Sequence, residues 1–211
     1  MRKPRQLKDG ADYHVVARIN RSEMLFGQSN SYKTLFLEYV KKAQNIYSFE
    51  IKNICIMNNH VHMLIKPGKN NSLSNIMKSI LGGFARRYNQ INNLKGHVWY
   101  DRFKSRIINS LQQFINTLVY ISNNPVRAEI VDFPWDYKYS TIYAILSKSS
   151  NYLVRLILSL MTNSDTLLIN CYMNMIHSFN KESAKNTVYS IGFHPKKPGR
   201  RKEQSDSVLS Q

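Results

Sequence analysis

The sequence predicts an α+β fold, an antiparallel sheet with helices on one face. Three observations predict it. Apolar residues recur with period two in short runs and with helical spacing in longer ones. The runs follow the order strand, helix, hairpin, helix, strand, helix, not a regular strand–helix alternation. Two of the strands are separated only by Asn58-Asn59, a hairpin turn. At 211 residues the chain can bury one substantial core and a smaller appendage.

Residues 13–20 alternate as a first strand. Residues 31–44 place Leu35, Phe36, Tyr39, Val40 and Ala43 at helical spacing. Residues 49–57 and 61–65 form the hairpin, which Pro67-Gly68 closes. Ser72 starts the next helix, whose buried stripe is Ile76, Met77, Ile80, Leu81 and Phe84, ending near Asn89. A short strand over 103–108 precedes a helix over 111–123 with Leu111, Phe114, Ile115, Leu118 and Ile121 on its core side. Beyond Pro134 the pattern is helical, over 140–148 and then 151–181. The expected division is a main domain over 1–139, a helical C-terminal extension over 140–190 and a disordered basic tail over 191–211.

Lys and Arg outnumber Asp and Glu by 30 to 13, a net charge of +17. That is far more than solubility requires and points to a polyanion as partner. The charge is uneven: residues 66–110 hold nine Lys or Arg against the single acid Asp101. Cys55 and Cys171 are too few and too far apart for a disulfide framework, which fits a reducing cytoplasm and, with this charge, the nucleoid. The start of the chain lacks an apolar run, and residues 152–170 are interrupted by Arg155, Asn163 and Asp165. Neither a signal peptide nor a membrane span is expected.

Candidate chemistry begins with His60 and His62. Residues two apart on a strand share a face, roughly 6.5–7 Å apart, so two imidazoles can grip one divalent cation. Such a pair alone is most often incidental. A second element changes the odds: on the helix over 111–123, Tyr120 stands off the core stripe and shares a polar face with Gln113, Asn116, Thr117 and Asn124. Asn124 follows Tyr120 by one turn, so its amide oxygen can join the imidazoles at a metal; it can equally cap the helix before Pro125. Two imidazoles and an amide oxygen suit Mn²⁺ and tolerate Mg²⁺. A metal beside a tyrosine suits phosphodiester chemistry, because an ordinary phenol needs help to lose its proton and the phosphate must be polarised. His14 and His97 have no spacing partner and read as structural.

Four ordered motifs carry a resemblance: Tyr13-His-Val-Val-Ala-Arg-Ile-Asn-Arg21, Met57-Asn-Asn-His-Val-His-Met-Leu64, Gly96-His-Val-Trp-Tyr-Asp-Arg-Phe-Lys104 and Tyr120-Ile-Ser-Asn-Asn-Pro-Val-Arg-Ala128. Over about residues 10–143 the chain resembles the REP-associated tyrosine transposases of the HUH single-strand transposase superfamily. The resemblance implies a ferredoxin-like or RRM-like HUH domain in which His60 and His62 bind metal and Tyr120 attacks DNA to give a 5′-phosphotyrosine. It implies single-stranded hairpins, the repetitive extragenic palindromes, as substrates, and a monomer or a homodimer as the acting form. No ATP or other organic cofactor is expected. Asn58 stands where the pattern has proline, which loosens the turn but removes no ligand.

For DNA binding the resemblance and the charge together single out Arg18, Asn20 and Arg21 at the end of the first strand, then Arg86, Arg87, Trp99, Arg102, Lys104, Arg106 and Arg127. Lys196, Lys197, Arg200 and Arg201 of the tail join them. Phe103 is assigned to the core, and Trp99 either packs or stacks on bases. Two other readings fit the same residues. One is a catalytically silent hairpin DNA- or RNA-binding regulator; the other is a metal hydrolase in which water attacks.

Overall fold

The computed structural model describes residues 8, 10–147, 149–161 and 166–181. The elements run β1 (Asp12–Arg18), α1 (Leu25–Gln28), α2 (Asn30–Gln44), β2 (Phe49–Ile56), β3 (His60–Pro67), α3 (Leu73–Ile91), β4 (Lys104–Ile108), α4 (Leu111–Arg127), α5 (Thr141–Leu146), α6 (Tyr152–Leu160) and α7 (Thr166–His177). The four strands form one antiparallel sheet in the order β2-β3-β1-β4. The protein therefore has the expected α+β class.

Helices lie against both faces of this sheet, one layer more than the sequence reading placed. Along β1 the inward positions of both faces are closed: Val15 and Ala17 on one side and His14 on the other are 0%, 2% and 0% exposed. The Val15 side is covered by α1, α2 and α3, whose Phe26, Phe36 and Phe84 cluster with Trp99 at centroid separations of 5.3 to 6.4 Å. The His14 side is covered by α4. The physical reason is that strands buried on both faces read as near-continuous apolar runs, as residues 61–65 do, and such runs do not show which helix lies where.

A bulge fixes α4 on the sheet. The β2–β3 register slips between Ile51 and Asn53, which turns Asn53 to the face that carries Leu64. Its amide nitrogen then donates to the Leu118 carbonyl (3.2 Å) and the Ser122 hydroxyl (3.1 Å) of α4. The helix also runs further than expected. Pro125 lies within its last turn, and the chain stays helical to Arg127 before Glu129 turns left-handed at φ 55°. Proline removes one donor, but so near the end only one turn follows it, and Ile130 and Ala128 return N–H groups to Pro125 and Asn124.

The helical stretch expected over 151–181 is two helices, α6 and α7, because the backbone turns extended at Met161. Thr141 accepts from the Ile54 N–H (2.9 Å), and Lys41 and Gln44 of α2 donate to the Ser159 and Leu160 carbonyls of α6. The tail over 191–211 lies outside the described residues.

Two adjacent glycines of α3 give a prediction of opposite signs. A Cβ at Gly83 would lie 2.6 Å from the Tyr39 ring where α3 crosses α2, whereas one at Gly82 meets only an Arg86 nitrogen at 3.7 Å. Gly82→Ala should raise stability by about 0.5–1 kcal/mol through helix propensity. Gly83→Ala should lower it by about 1–3 kcal/mol through overpacking, with both read by urea denaturation.

Candidate active site

Strand β3 carries His60 and His62 on one face, with ring centroids 4.8 Å apart and planes at 82°. The register of β1 against β3 sets Val16 opposite His62 and Arg18 opposite His60. This places His14, two residues from Val16, on the same face. Its Nε2 lies 3.0 Å from Nδ1 of His62, and the two rings stack at 5.2 Å. His60 in turn has its Nδ1 2.6 Å from Oδ1 of Asn59. Both candidate ligands thus have Nδ1 engaged, which leaves Nε2 as the nitrogen each could offer to a ligand.

Over these rings sits Tyr120 of α4. Its centroid is 5.7 Å from His62 and 5.8 Å from His14, both edge-on. Tyr120 is only 8% exposed, so the off-stripe face is buried at its position although Gln113 at the start of that face is exposed. Thr117 and Asn124 on that face are buried too. Asn124 is inside the helix, not its cap, and its amide nitrogen donates to the Tyr120 carbonyl at 2.8 Å. The amide oxygen is the end left for coordination. Arg127, two turns beyond Tyr120, sets its guanidinium 4.9 Å over the Tyr120 ring.

Burial controls the charge of the imidazoles. It pushes His14 down to about 3, helped by the Arg106 cation, and His60 down to about 4, helped by Arg18. His62 is pushed well below its ordinary value by burial first, then by His60, His14, Arg127 and Arg18. All three are neutral at physiological pH, the form in which a histidine can ligate a metal. Among the described residues no three His, Cys, Asp or Glu side chains assemble to hold a metal ion.

A family model described as "Transposase IS200 like" matches residues 8–124, which span β1 to Asn124 of α4. The chain belongs to the IS200-like transposase family. Of solved structures, a REP-associated tyrosine transposase bound to a REP hairpin has the same fold, with a TM-score of 0.60 at 20% identity over 72% of this chain and 90% of that one. A putative transposase from Deinococcus radiodurans R1 matches over 56% of this chain and 98% of that one at 16% identity and a TM-score of 0.39. No curated protein matches the sequence. None of the described helices is long and apolar enough to cross a membrane.

The cations of this IS200-like transposase divide by place. Opposed residues of an antiparallel pair share a face, so Arg106, opposite His14, and Lys104, opposite Val16, stand on the histidine face with Arg18. Arg127 joins them from α4. Arg21 and Arg102 are exposed in the loops at the end of β1 and before β4, which backbone bonds from Asn20 to Val98 and from Tyr100 to Arg18 tie together. Arg86 and Arg87 are exposed on α3, in the other helical layer.

Two of the residues singled out for DNA have structural work. Trp99 packs in the aromatic core and donates its indole N–H to the Leu81 carbonyl at 2.9 Å, while Tyr100 beside it is 70% exposed and available for stacking. Asn20 donates to the His97 carbonyl and accepts from the Arg21 N–H, holding Arg21 in its left-handed conformation at φ 52°. Phe103 is buried. Asn58 does not leave its turn untethered: its side chain accepts from Lys33 at 3.3 Å and its carbonyl from the Phe26 N–H at 3.0 Å. His14 is the neighbour the sequence reading missed. Spacing within one strand cannot reveal it, since its approach to His62 comes from the register of two.

Proposed function

We propose that this transposase cleaves and rejoins single-stranded DNA beside hairpins of the repetitive extragenic palindrome type, with Tyr120 as nucleophile and a divalent cation held by His60 and His62. The observation that carries the reading is the packing of the Tyr120 ring against His62, the inner member of the pair, at a centroid separation of 5.7 Å. Hairpin specificity is supported by the REP hairpin bound to the protein of like fold and by the basic residues around the histidine face.

The donor set fits a metal. His60 and His62 through Nε2 and Asn124 through its amide oxygen would hold the cation, a donor set suited to Mn²⁺ and tolerant of Mg²⁺. When bound, the cation supplies Lewis-acid polarisation of the scissile phosphate. For His62 to offer Nε2, its proton sits on Nδ1 and is donated to Nε2 of His14, which locks both tautomers. His14 also packs edge-on against one side of the Tyr120 ring. In the reaction the phenolic oxygen bonds phosphorus as the bond to the 3′ oxygen breaks, the phenol gives its proton to solvent and the leaving oxygen takes one from it. The product is a 5′-phosphotyrosine and a 3′-OH. Attack of a 3′-OH on that linkage rejoins the strand, so the bond energy is conserved and no ATP is needed.

Incubating the protein with hairpin-bearing single strands and Mn²⁺ should give a protein–DNA band that survives SDS and heat and is absent in EDTA. Binding without such a band favours the silent regulator; cleavage without linkage favours attack by water. Asn124→Ala should slow the adduct by only about tenfold, since water replaces a neutral amide ligand, in the range seen for loss of a supporting contact at a metal site.

A further inference from the structure

We infer that Arg127 is a catalytic residue of this site: its guanidinium binds the scissile phosphate and neutralises the charge that builds there as Tyr120 attacks. The inference rests on the nuclease reading above, and Arg127 lies beyond the segment, 8–124, that the family model covers.

Four observations carry it. Arg127 follows Tyr120 by two helical turns, and the helix keeps that register because it runs through Pro125. The cation lies 4.9 Å from the centroid of the Tyr120 ring, within cation–π range of the residue that carries the nucleophile. The side chain is half-buried, and its Nε is fully buried with no hydrogen-bond partner among the described residues. No acidic side chain forms an ion pair with it among the described residues. A guanidinium taken partly out of water with a donor unmet is costly, and structural arginines in such places are paired with carboxylates or carbonyls. This one is left open toward the ring that would attack. The anion that completes it is planar-fork compatible, and the scissile phosphate is such an anion.

In the step, the Tyr120 oxygen–phosphorus bond forms and the phosphorus–3′ oxygen bond breaks, with the phenolic proton passing to solvent. Arg127 exchanges no proton. It donates two N–H bonds to the non-bridging oxygens, and these strengthen as charge accumulates in the transition state.

Adduct formation is measured in single turnover for wild type, Arg127→Ala and Arg127→Lys, each on two hairpin-bearing strands. One has an ordinary scissile phosphate; the other has an uncharged methylphosphonate at that linkage. On the phosphate, Arg127→Ala should be about 100- to 1,000-fold slower, the effect of removing one charge-stabilising donor group, and Arg127→Lys should recover part of it. On the methylphosphonate the same variants should fall within about tenfold of wild type, because there is no full charge left to neutralise. Guanidinium added to Arg127→Ala should restore some rate on the phosphate only. Equal losses on both strands in Arg127→Lys, which keeps the stem and the charge, would show that Arg127 merely packs on the helix and would overturn the inference. A wild-type chain that forms no adduct overturns the nuclease reading and this inference with it.

Discussion

Tyr120→Phe should abolish the covalent DNA adduct, a loss of at least about three orders of magnitude in its rate of formation, while hairpin affinity stays within a few-fold. The substitution deletes one oxygen and leaves the ring between His14, His62 and Arg127. The fold should therefore change by no more than about 1 kcal/mol, the usual net worth of one hydrogen-bonding group. Phosphate contacts come from Arg and Lys, none of which the change removes. A denaturing gel for the adduct and a native gel for the complex make the test. Adduct persisting at wild-type yield would remove Tyr120 as the nucleophile.

The second large effect belongs to the histidines, and the structure makes the two unequal. His60→Ala should eliminate metal-dependent cleavage with little cost in stability, because its Nδ1 partner is only the adjacent Asn59. His62→Ala should eliminate cleavage and also destabilise the protein by about 1–3 kcal/mol. It leaves Nε2 of the fully buried His14 without the nitrogen it now meets at 3.0 Å. Both variants should still bind the hairpin. Mn²⁺ binding followed by electron paramagnetic resonance should be lost in either. Full cleavage by the double alanine variant in EDTA would reject the metal site.

How much of this was legible beforehand depends on whether the information is local. The His-x-His period and the off-stripe position of Tyr120 are properties of single elements, so they can be read from one strand and one helix. The α+β class is legible for the same reason. What brings the pieces together is not local. His14 meets His62 through the β1–β3 register, and Asn53 holds α4 through a bulge that shifts β2 by one residue. Pro125 argues locally for a helix end, yet the last turn needs only the donors that follow it, and so Arg127 stays in line with Tyr120. Trp99 sits among basic residues in the chain but among Phe26, Phe36 and Phe84 in space. Sequence neighbours show charge; only packing shows which rings are already committed.

The central claim is that the Tyr120 oxygen becomes bonded to DNA, and one measurement reads it directly. Wild-type protein is incubated with a hairpin-bearing single strand and Mn²⁺, digested with protease and nuclease, and its peptides are sequenced by mass spectrometry. The account predicts a nucleotide attached through phosphate to Tyr120, on the peptide that carries Asn124, and a free 3′-OH on the released DNA. Cleaved DNA with an unmodified Tyr120 peptide, or a nucleotide on another of the chain's tyrosines, would contradict it.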